Sequence, residues 1–432
     1  MHIFFSGIGG TGIGPLALIA AQAGFTVSGS DKQNSAYVSY LKKHGVTNIY
    51  IGQTRSALQE LHAKTPIDWF VYSSALPKEN PNHPELAYAE QAHIKHSKRD
   101  EFLNYLLDKK SLKLLAVSGT HGKTTTTAML VWLFKQLQMP VSYSVGAKLS
   151  FGDMGHYDPK SEYFAYECDE YDRNFLSFKP YVSLITGIDW DHADVFPTRQ
   201  NYYDAFKEFI VRSEGVLMWQ DDFDRIGQTP LSSILALDQT SLPKNLTLAG
   251  HVNRLDAWLV IQTVHELTNI GIDELTAHMN SFPGVSRRFE AITDGLYSDY
   301  AHTPKKIEGA LQLAHEVAGN NVVVIYEGLH NTRQHFIKSD LEHLFDSVKK
   351  LYVVPSYLAR EDPSLKLLSP HDIITLTSKP SSAQAVELNK DLRHIIQKHL
   401  SDGDLVLALS AGGGGSLDEW LRAEFTYQPN SL

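Results

Sequence analysis

Apolar and polar positions along this chain switch repeatedly between two periods. Short apolar runs read as strands: His2–Ser6, Phe25–Ser28, Asp68–Ser73, Leu112–Val117, Tyr163–Glu167, Val182–Thr186, Gly295–Asp299, Asn321–Tyr326, Leu351–Val354 and Asp404–Leu409. Between them the apolar residues take helical spacing. Ile13, Leu16, Ile19 and Ala20 mark a first helix, and further helices are predicted over Arg99–Leu107, Ala128–Leu137, Asn201–Arg212, Asn253–Asn269 and Ala383–Leu400. Strands that alternate with helices predict an α/β fold built on parallel sheets.

The pattern restarts twice, each time with a strand that runs into a turn rich in glycine or polar residues. This divides the chain into segments 1–108, 109–284 and 285–432, with the basic stretch Asp108-Lys109-Lys110-Ser111 as the first linker. The turn-rich stretch Glu214–Ala249 yields no assigned element, and Gly412–Gly415 reads as a turn before a last helix. A chain of 432 residues with 43% hydrophobic and 20% charged content has the makeup of a globular protein with several cores. Its one cysteine, Cys168, excludes an intrachain disulfide and fits a reducing cytoplasm. Met1 leads into a strand rather than a basic leader, and no apolar run is long enough to span a bilayer. A net charge of −10 argues against nucleic acid as a main partner. The expectation is a cytoplasmic protein with neither a membrane nor a nucleic-acid partner, monomer or dimer being left open.

Residues 118–127, Ser-Gly-Thr-His-Gly-Lys-Thr-Thr-Thr-Thr, carry the clearest chemistry. An apolar strand precedes them and a helix follows. Gly119, Thr120, His121, Gly122, Lys123, Thr124 and Thr125 then form a phosphate cradle. Backbone N–H groups and a helix N-terminus face the anion, the lysine adds a point charge, and a threonine hydroxyl can hold Mg²⁺. The strict P-loop has a glycine where this chain has Val117, so the cradle is a variant. A second glycine turn, Gly7-Ile8-Gly9-Gly10-Thr11-Gly12, follows the first strand, and Asp31 ends the next one. That is the pattern of a diphosphate turn with a hydroxyl-binding acid, and it suits either NAD or a nucleotide sugar. Glu167, Asp169, Glu170, Asp172 and Asp191 cluster after strands that converge on the cradle, with His192 beside them. Glu167 and His192, nearest their strand ends, are the first candidates for Mg²⁺. Arg287-Arg288 suits a transferring phosphoryl group, Asp299 a ribose and His302 a phosphate, while His330 and Arg333 suit a carboxylate.

In order and spacing these motifs resemble the Mur ligase superfamily, and within it the UDP-N-acetylmuramate–L-alanine ligases. The likeness runs from Gly-Ile-Gly-Gly-Thr-Gly and Ser-Gly-Ser-Asp31 through Ser73-Ser74-Ala75 with Asn80-Pro81, then the 119–127 cradle. It continues through Asp169-Glu170-x-Asp172 with Phe175, Asp191-His192, Arg287-Arg288-Phe289 and Asp299-Tyr-Ala-His302. The resemblance implies three domains: a Rossmann-like UDP-sugar domain, a central ATP domain and a Rossmann-like C-terminal domain. It implies a ligase of peptidoglycan synthesis that uses ATP and Mg²⁺ to activate the carboxylate of UDP-N-acetylmuramate as an acyl phosphate, which the amino group of L-alanine then attacks. Lys123 would grip the β- and γ-phosphates. Thr124, Glu167 and His192 would hold Mg²⁺, and Asn253 would meet adenine. Arg288 and His302 would reach phosphates, and Asp299 the ribose. Gly9, Gly10, Thr11, Gly12, Asp31, Ser73 and Ser74 would face the UDP part, and His330 and Arg333 the incoming amino acid. Domain closure is expected. Several positions depart from the family pattern. Val252 stands where histidine is usual, Asp256 where asparagine is usual, and Thr303 in a His-His-Pro motif. Glu327-Gly328-Leu329 stands at a Gln-Pro-His strand end. Cys168–Asp172 and Asp191–Asp194 look more like the murein peptide ligases, which attach a recycled peptide to the same sugar nucleotide. A third reading is a degenerate binder without turnover.

Overall fold

The computed structural model describes residues 1–74, 76–77, 80–191, 195–227, 233–358 and 361–426. Its strands gather into three sheets. The first has the order β3-β2-β1-β4-β5, from β1 (His2–Ser6), β2 (Thr26–Asp31), β3 (Asn48–Ile51), β4 (Trp69–Tyr72) and β5 (Lys95–Lys98). Every pairing in it is parallel. The strand order reverses between β1 and β4, so the glycine turn after β1 opens at a topological switch point.

The second sheet is formed by β6 (Lys113–Ser118), β7 (Val141–Ser144), β8 (Gly155–His156), β9 (Tyr163–Glu167), β10 (Val182–Ile185), β11 (Gly215–Trp219) and β12 (Ile234–Leu237). Its order is β12-β11-β10-β6-β9-β7-β8. Only β7 and β8 pair antiparallel. β6 lies inside the sheet between β10 and β9, which places the phosphate cradle among the C-terminal ends of three strands. The third sheet holds β13 (Glu290–Thr293), β14 (Leu296–Asp299), β15 (Val322–Leu329), β16 (Lys350–Tyr357), β17 (Ala383–Ala385) and β18 (Leu405–Leu409). Its order is β13-β14-β18-β15-β16-β17, with only β13 and β14 antiparallel.

The α/β reading therefore holds, with one sheet per predicted segment. The packing groups the sheets differently. Ile3, Phe5 and Val71 of the first sheet share a hydrophobic cluster with Phe164, Tyr166, Phe175 and Phe206 around the second. Met1–Leu246 and Leu255–Phe282 thus form one compact unit, and Thr247–Arg254 with Pro283–Leu432 another. The expected linker at Asp108–Ser111 is the last turn of a helix, Arg99–Lys110, which ends on Ser111 in a left-handed conformation (φ 53°). Phe102, Leu103, Leu106 and Leu107 bury that helix in the shared core.

Three other expectations change. The stretch left unassigned after Glu214 contains β11, a helix over Gln220–Ile226 and β12. The single helix expected over Ala383–Leu400 is the edge strand β17 followed by a helix over Lys390–Ser401. Asn389 sets that start, because its side chain accepts from the N–H groups of Asp391 and Leu392. β15 runs on to Leu329, buried throughout, rather than ending at Tyr326.

Candidate active site

The cradle is built on backbone geometry that only glycine tolerates at two points. Gly119 has φ +141°, and a Cβ there would overlap Thr186 Oγ1. Gly122 has φ +80°, and a Cβ would lie 2.7 Å from a carboxylate oxygen of the buried Asp256. Gly122 caps the helix Lys123–Gln136, whose first N–H groups supply the anion-facing end. The loop is tied down from β10. Thr120 N donates to Gly187 O (2.9 Å), Thr120 Oγ1 donates to Asp189 O (2.6 Å), and Thr186 Oγ1 donates to His121 O. Tyr202 OH lies 2.8 Å from Thr120 Oγ1 and donates to Glu170 Oε1 at 3.4 Å.

Lys123 Nζ donates to Gly119 O at 2.7 Å and to Glu170 Oε2 at 2.6 Å, with Asp169 3.9 Å away. The Glu170 side chain is fully buried and that of Lys123 is 13% exposed. Burial alone would pull the lysine pKa down, but the carboxylates of Glu170, Asp169 and Glu167 outweigh it and hold the ammonium above its ordinary value. Burial pushes the Glu170 carboxyl up against the pull of Lys123. Sequence reasoning placed Glu170 in the acid cluster but behind Glu167. Only its burial against Lys123 singles it out.

Thr124 Oγ1 donates to Glu167 Oε1 at 2.8 Å, and Gly146 N donates to Glu167 Oε2 at 2.8 Å. A hydroxyl and a carboxylate are thus side by side at the start of the cradle helix. This is the hard oxygen donor set that Mg²⁺ prefers alongside waters and phosphate oxygens, so the residues fit the ion. His192, the third expected ligand, lies outside the described residues. Among the described residues no cluster of three or more His, Cys, Asp or Glu forms a ready-made metal site. Asp172 turns away from the cradle and pairs with Lys98 (3.3 Å).

At the N-terminal turn, Asp31 holds the turn itself. Its Oδ2 accepts from Gly9 N at 2.8 Å and its Oδ1 from Gln33 N at 3.2 Å. Gly7 N and Ile8 N both donate to Ser30 O (2.9 Å). Gly9, Gly10, Thr11 and Gly12 follow β1, and Ser73 and Ser74 follow β4, so the sheet brings them to one end. Beneath them lies a carboxyl that sequence reasoning missed. Glu85 is 1% exposed, and its Oε2 accepts from Ser6 Oγ (2.7 Å) and Ser30 Oγ (2.8 Å). Burial pushes its pKa up to about 7. In sequence it reads as an ordinary acid in the first turn of a helix.

The second unit collects the remaining candidates. Arg287 and Phe289 both have positive φ (59° and 49°), which flanks Arg288 with strained backbone. Arg287 is structural: it donates to Ser410 O (2.9 Å) and Gly412 O (3.0 Å). Arg288 donates its backbone N–H to Val285 O (3.1 Å), its guanidinium lies 5.1 Å from the Tyr300 ring centroid, and its charge acts on the Asp299 carboxyl. Asp299 accepts from Phe289 N (2.8 Å) and Ala301 N (2.7 Å), and burial raises its pKa. His302 bonds through Nδ1 to Tyr300 O at 2.8 Å. Burial, then the positive charge of Lys306, Arg333 and Arg288, lowers its pKa to about 3. With Nδ1 engaged by Tyr300 O, Nε2 is the ring nitrogen left to meet a ligand. Arg333 shares its electrostatic neighbourhood. His330 has φ 56° and stands 3.6 Å from Glu361 through Nδ1. Asn253, expected to meet adenine from the central segment, belongs to the second unit, where its side-chain amide donates to Ala249 O (2.9 Å). At the altered strand end, Glu327 is buried and accepts from Ser410 Oγ (2.6 Å) and Leu417 N (2.9 Å), so this departure serves the core of the third sheet.

Known proteins with this arrangement are consistent with one another. Residues 2–111 match the family model described as Mur ligase family, catalytic domain. Residues 117–228 match the Mur ligase middle domain, and residues 287–412 the Mur ligase, glutamate ligase domain. A UDP-N-acetylmuramate–L-alanine ligase of Clostridium perfringens is 28% identical over 448 residues, covering 95% of both chains. One of Clostridium acetobutylicum is 29% identical over 446 residues, also covering 95% of both. The crystal structure of a UDP-N-acetylmuramate–alanine ligase from Thermotoga maritima shares the fold with a TM-score of 0.74, at 23% identity and 98% coverage of each chain. That of a murein peptide ligase from Psychrobacter arcticus does so at 0.65, with 20% identity and full coverage of both. With three family models matching along its three sheets and its cradle, the chain belongs to the Mur ligase family.

Proposed function

We propose that this protein is an ATP-dependent carbon–nitrogen ligase that joins the carboxylate of UDP-N-acetylmuramate to the amino group of L-alanine. The observation that carries the reading is one compact unit holding both a triphosphate cradle with Lys123 and, at the end of the neighbouring sheet, a glycine turn suited to a diphosphate. Relatives that align over 95% of the chain, known as UDP-N-acetylmuramate–L-alanine ligases, support the same substrates.

In this reaction a carboxylate oxygen attacks the γ-phosphorus and the bond to the ADP oxygen breaks. The amine nitrogen then adds to the acyl carbon, inorganic phosphate leaves from the tetrahedral intermediate, and the amine's extra proton passes to solvent. The residues mostly position and stabilise charge. Lys123 neutralises the β- and γ-phosphate oxygens, and Glu170 keeps that ammonium extended along the loop. The helix N-terminus at Lys123 donates backbone N–H groups. Thr124 and Glu167 would hold Mg²⁺, which supplies positive charge to the phosphates. Arg288 balances charge on the moving phosphoryl group, His302 reaches a phosphate oxygen, and Asp299 accepts from a ribose hydroxyl. Arg333 orients the amino acid's carboxylate.

The test is a panel of L-amino acids and short peptides offered with UDP-N-acetylmuramate, ATP and Mg²⁺, read by product mass. L-Alanine is expected to give the product, and phosphate release without preference among amino acids overturns the L-alanine assignment. Product from an L-Ala-γ-D-Glu peptide alone would establish the murein peptide ligase reading, which the resemblance of Cys168–Asp172 favours. Lys123→Ala is expected to abolish phosphate release with an unchanged circular-dichroism spectrum. Turnover near the wild-type rate removes its assigned role.

A further inference from the structure

Arg99 stands at a junction that the reading above does not use. It is the first residue of the helix Arg99–Lys110, directly after β5 in the first sheet. Its guanidinium reaches back to the glycine turn: Nη1 occupies the space that a Cβ at Gly12 would need, with Cζ 3.4 Å from that position. The absence of a side chain at Gly12 is what admits the guanidinium. Its electrostatic neighbours are Asp100 on its own helix and Tyr166, Cys168 and Asp169 in and after β9. Asp169 is also the acid 3.9 Å from the cradle's Lys123. The side chain keeps 24% of its surface exposed, and among the described residues its one ion pair is a contact of Nε with Asp100 at 3.5 Å. The planar fork of N–H donors is therefore held at the turn with most of its hydrogen-bonding capacity unspent.

We propose that Arg99 binds an oxyanion of the sugar nucleotide at Gly12, making it a substrate-binding residue of the N-terminal turn. A turn of backbone N–H groups offers partial charge only. A guanidinium seated on its last glycine adds a full charge and bidentate geometry. Its place between the turn and the loop of Asp169 matches the route of a molecule whose diphosphate sits at the turn and whose carboxylate must meet the γ-phosphate. The inference rests on the sugar-nucleotide reading. Two groups of that substrate share the needed chemistry, the diphosphate and the carboxylate.

The experiment is calorimetric titration of UDP-N-acetylmuramate and of UDP into the wild type, Arg99→Lys and Arg99→Met, with thermal unfolding and the KM for ATP measured on each. Arg99→Met is expected to weaken the sugar nucleotide roughly 10- to 100-fold, the size of a lost charge-assisted pair. Arg99→Lys is expected to recover part of the loss, and the KM for ATP to stay unchanged. Equal loss for UDP assigns the contact to the diphosphate, and loss confined to UDP-N-acetylmuramate assigns it to the carboxylate. Unchanged affinity in Arg99→Met overturns the proposal, as does a fall in stability with no change in affinity. Failure of the wild type to bind either nucleotide overturns the substrate reading instead.

Discussion

Buried carboxyls in this protein have two roles, and the difference lies in their partners. Glu170 is neutralised by an ammonium, whereas the partners of Glu85 among the described residues are two serine hydroxyls. Its pKa near 7 has a definite consequence for stability. A carboxyl whose folded pKa is raised binds a proton in the native state that the unfolded chain has already released. Its contribution is full below the unfolded value near 4.5 and is lost as pH rises through about 7. Glu85→Gln removes the ionisable group while keeping its shape. Urea unfolding of wild type and variant at pH 5 and pH 8 should therefore show the variant gaining, relative to wild type, about 1–3 kcal/mol at the higher pH. A difference that does not change with pH would show that Glu85 is ionised throughout. Nothing local in Pro84-Glu85-Leu86 announces this, because the burial arises from β1 and β2, which lie far away in sequence.

At the level of elements, the strand–turn–helix of the cradle was legible because its requirements are local. Gly122 must take positive φ, the helix must start at once, and a lysine and a threonine must open it. Gly122→Ala should strain the turn and press on the Asp256 carboxylate. The expected loss is about 1–3 kcal/mol in urea unfolding, together with a raised KM for ATP and an unchanged KM for the sugar nucleotide. A variant with wild-type ATP kinetics would mean that the turn adapts. The misread elements share a cause. β17 is a three-residue edge strand whose only sheet pairing is with β16, and the alanines at its ends carry no strand signal of their own. The long strand β15 hides its end because Glu327 and Gly328 look like turn residues until Ser410 and the N–H of Leu417 bond to the carboxylate.

At the level of the whole molecule, three segments in sequence become two compact units in space. The second unit takes in Thr247–Arg254, which it holds through a two-pronged pair between Arg254 and Glu316 (2.6 and 3.2 Å). The residues expected to face the UDP part all belong to the first unit. Calorimetric heating should therefore resolve more than one transition, and saturating UDP should raise that of the first unit while leaving that of the second in place. A single transition that moves as a whole with UDP would show that the two units unfold together.

The sequence by itself determined the strand-and-helix alternation, the two anion-binding turns and the family. Each of these rests on residues adjacent in the chain, with glycines, a lysine and apolar periods acting over a few positions. Only the tertiary structure decided which acids matter to Lys123, that Asp31 and Asp299 hold their own turns, that burial lowers the His302 pKa, and that Arg99 is seated on Gly12. The physical reason is that charge and burial are set by residues brought together across sheets. A carboxyl or a guanidinium acquires its role from what surrounds it in space, which its neighbours in the chain do not state.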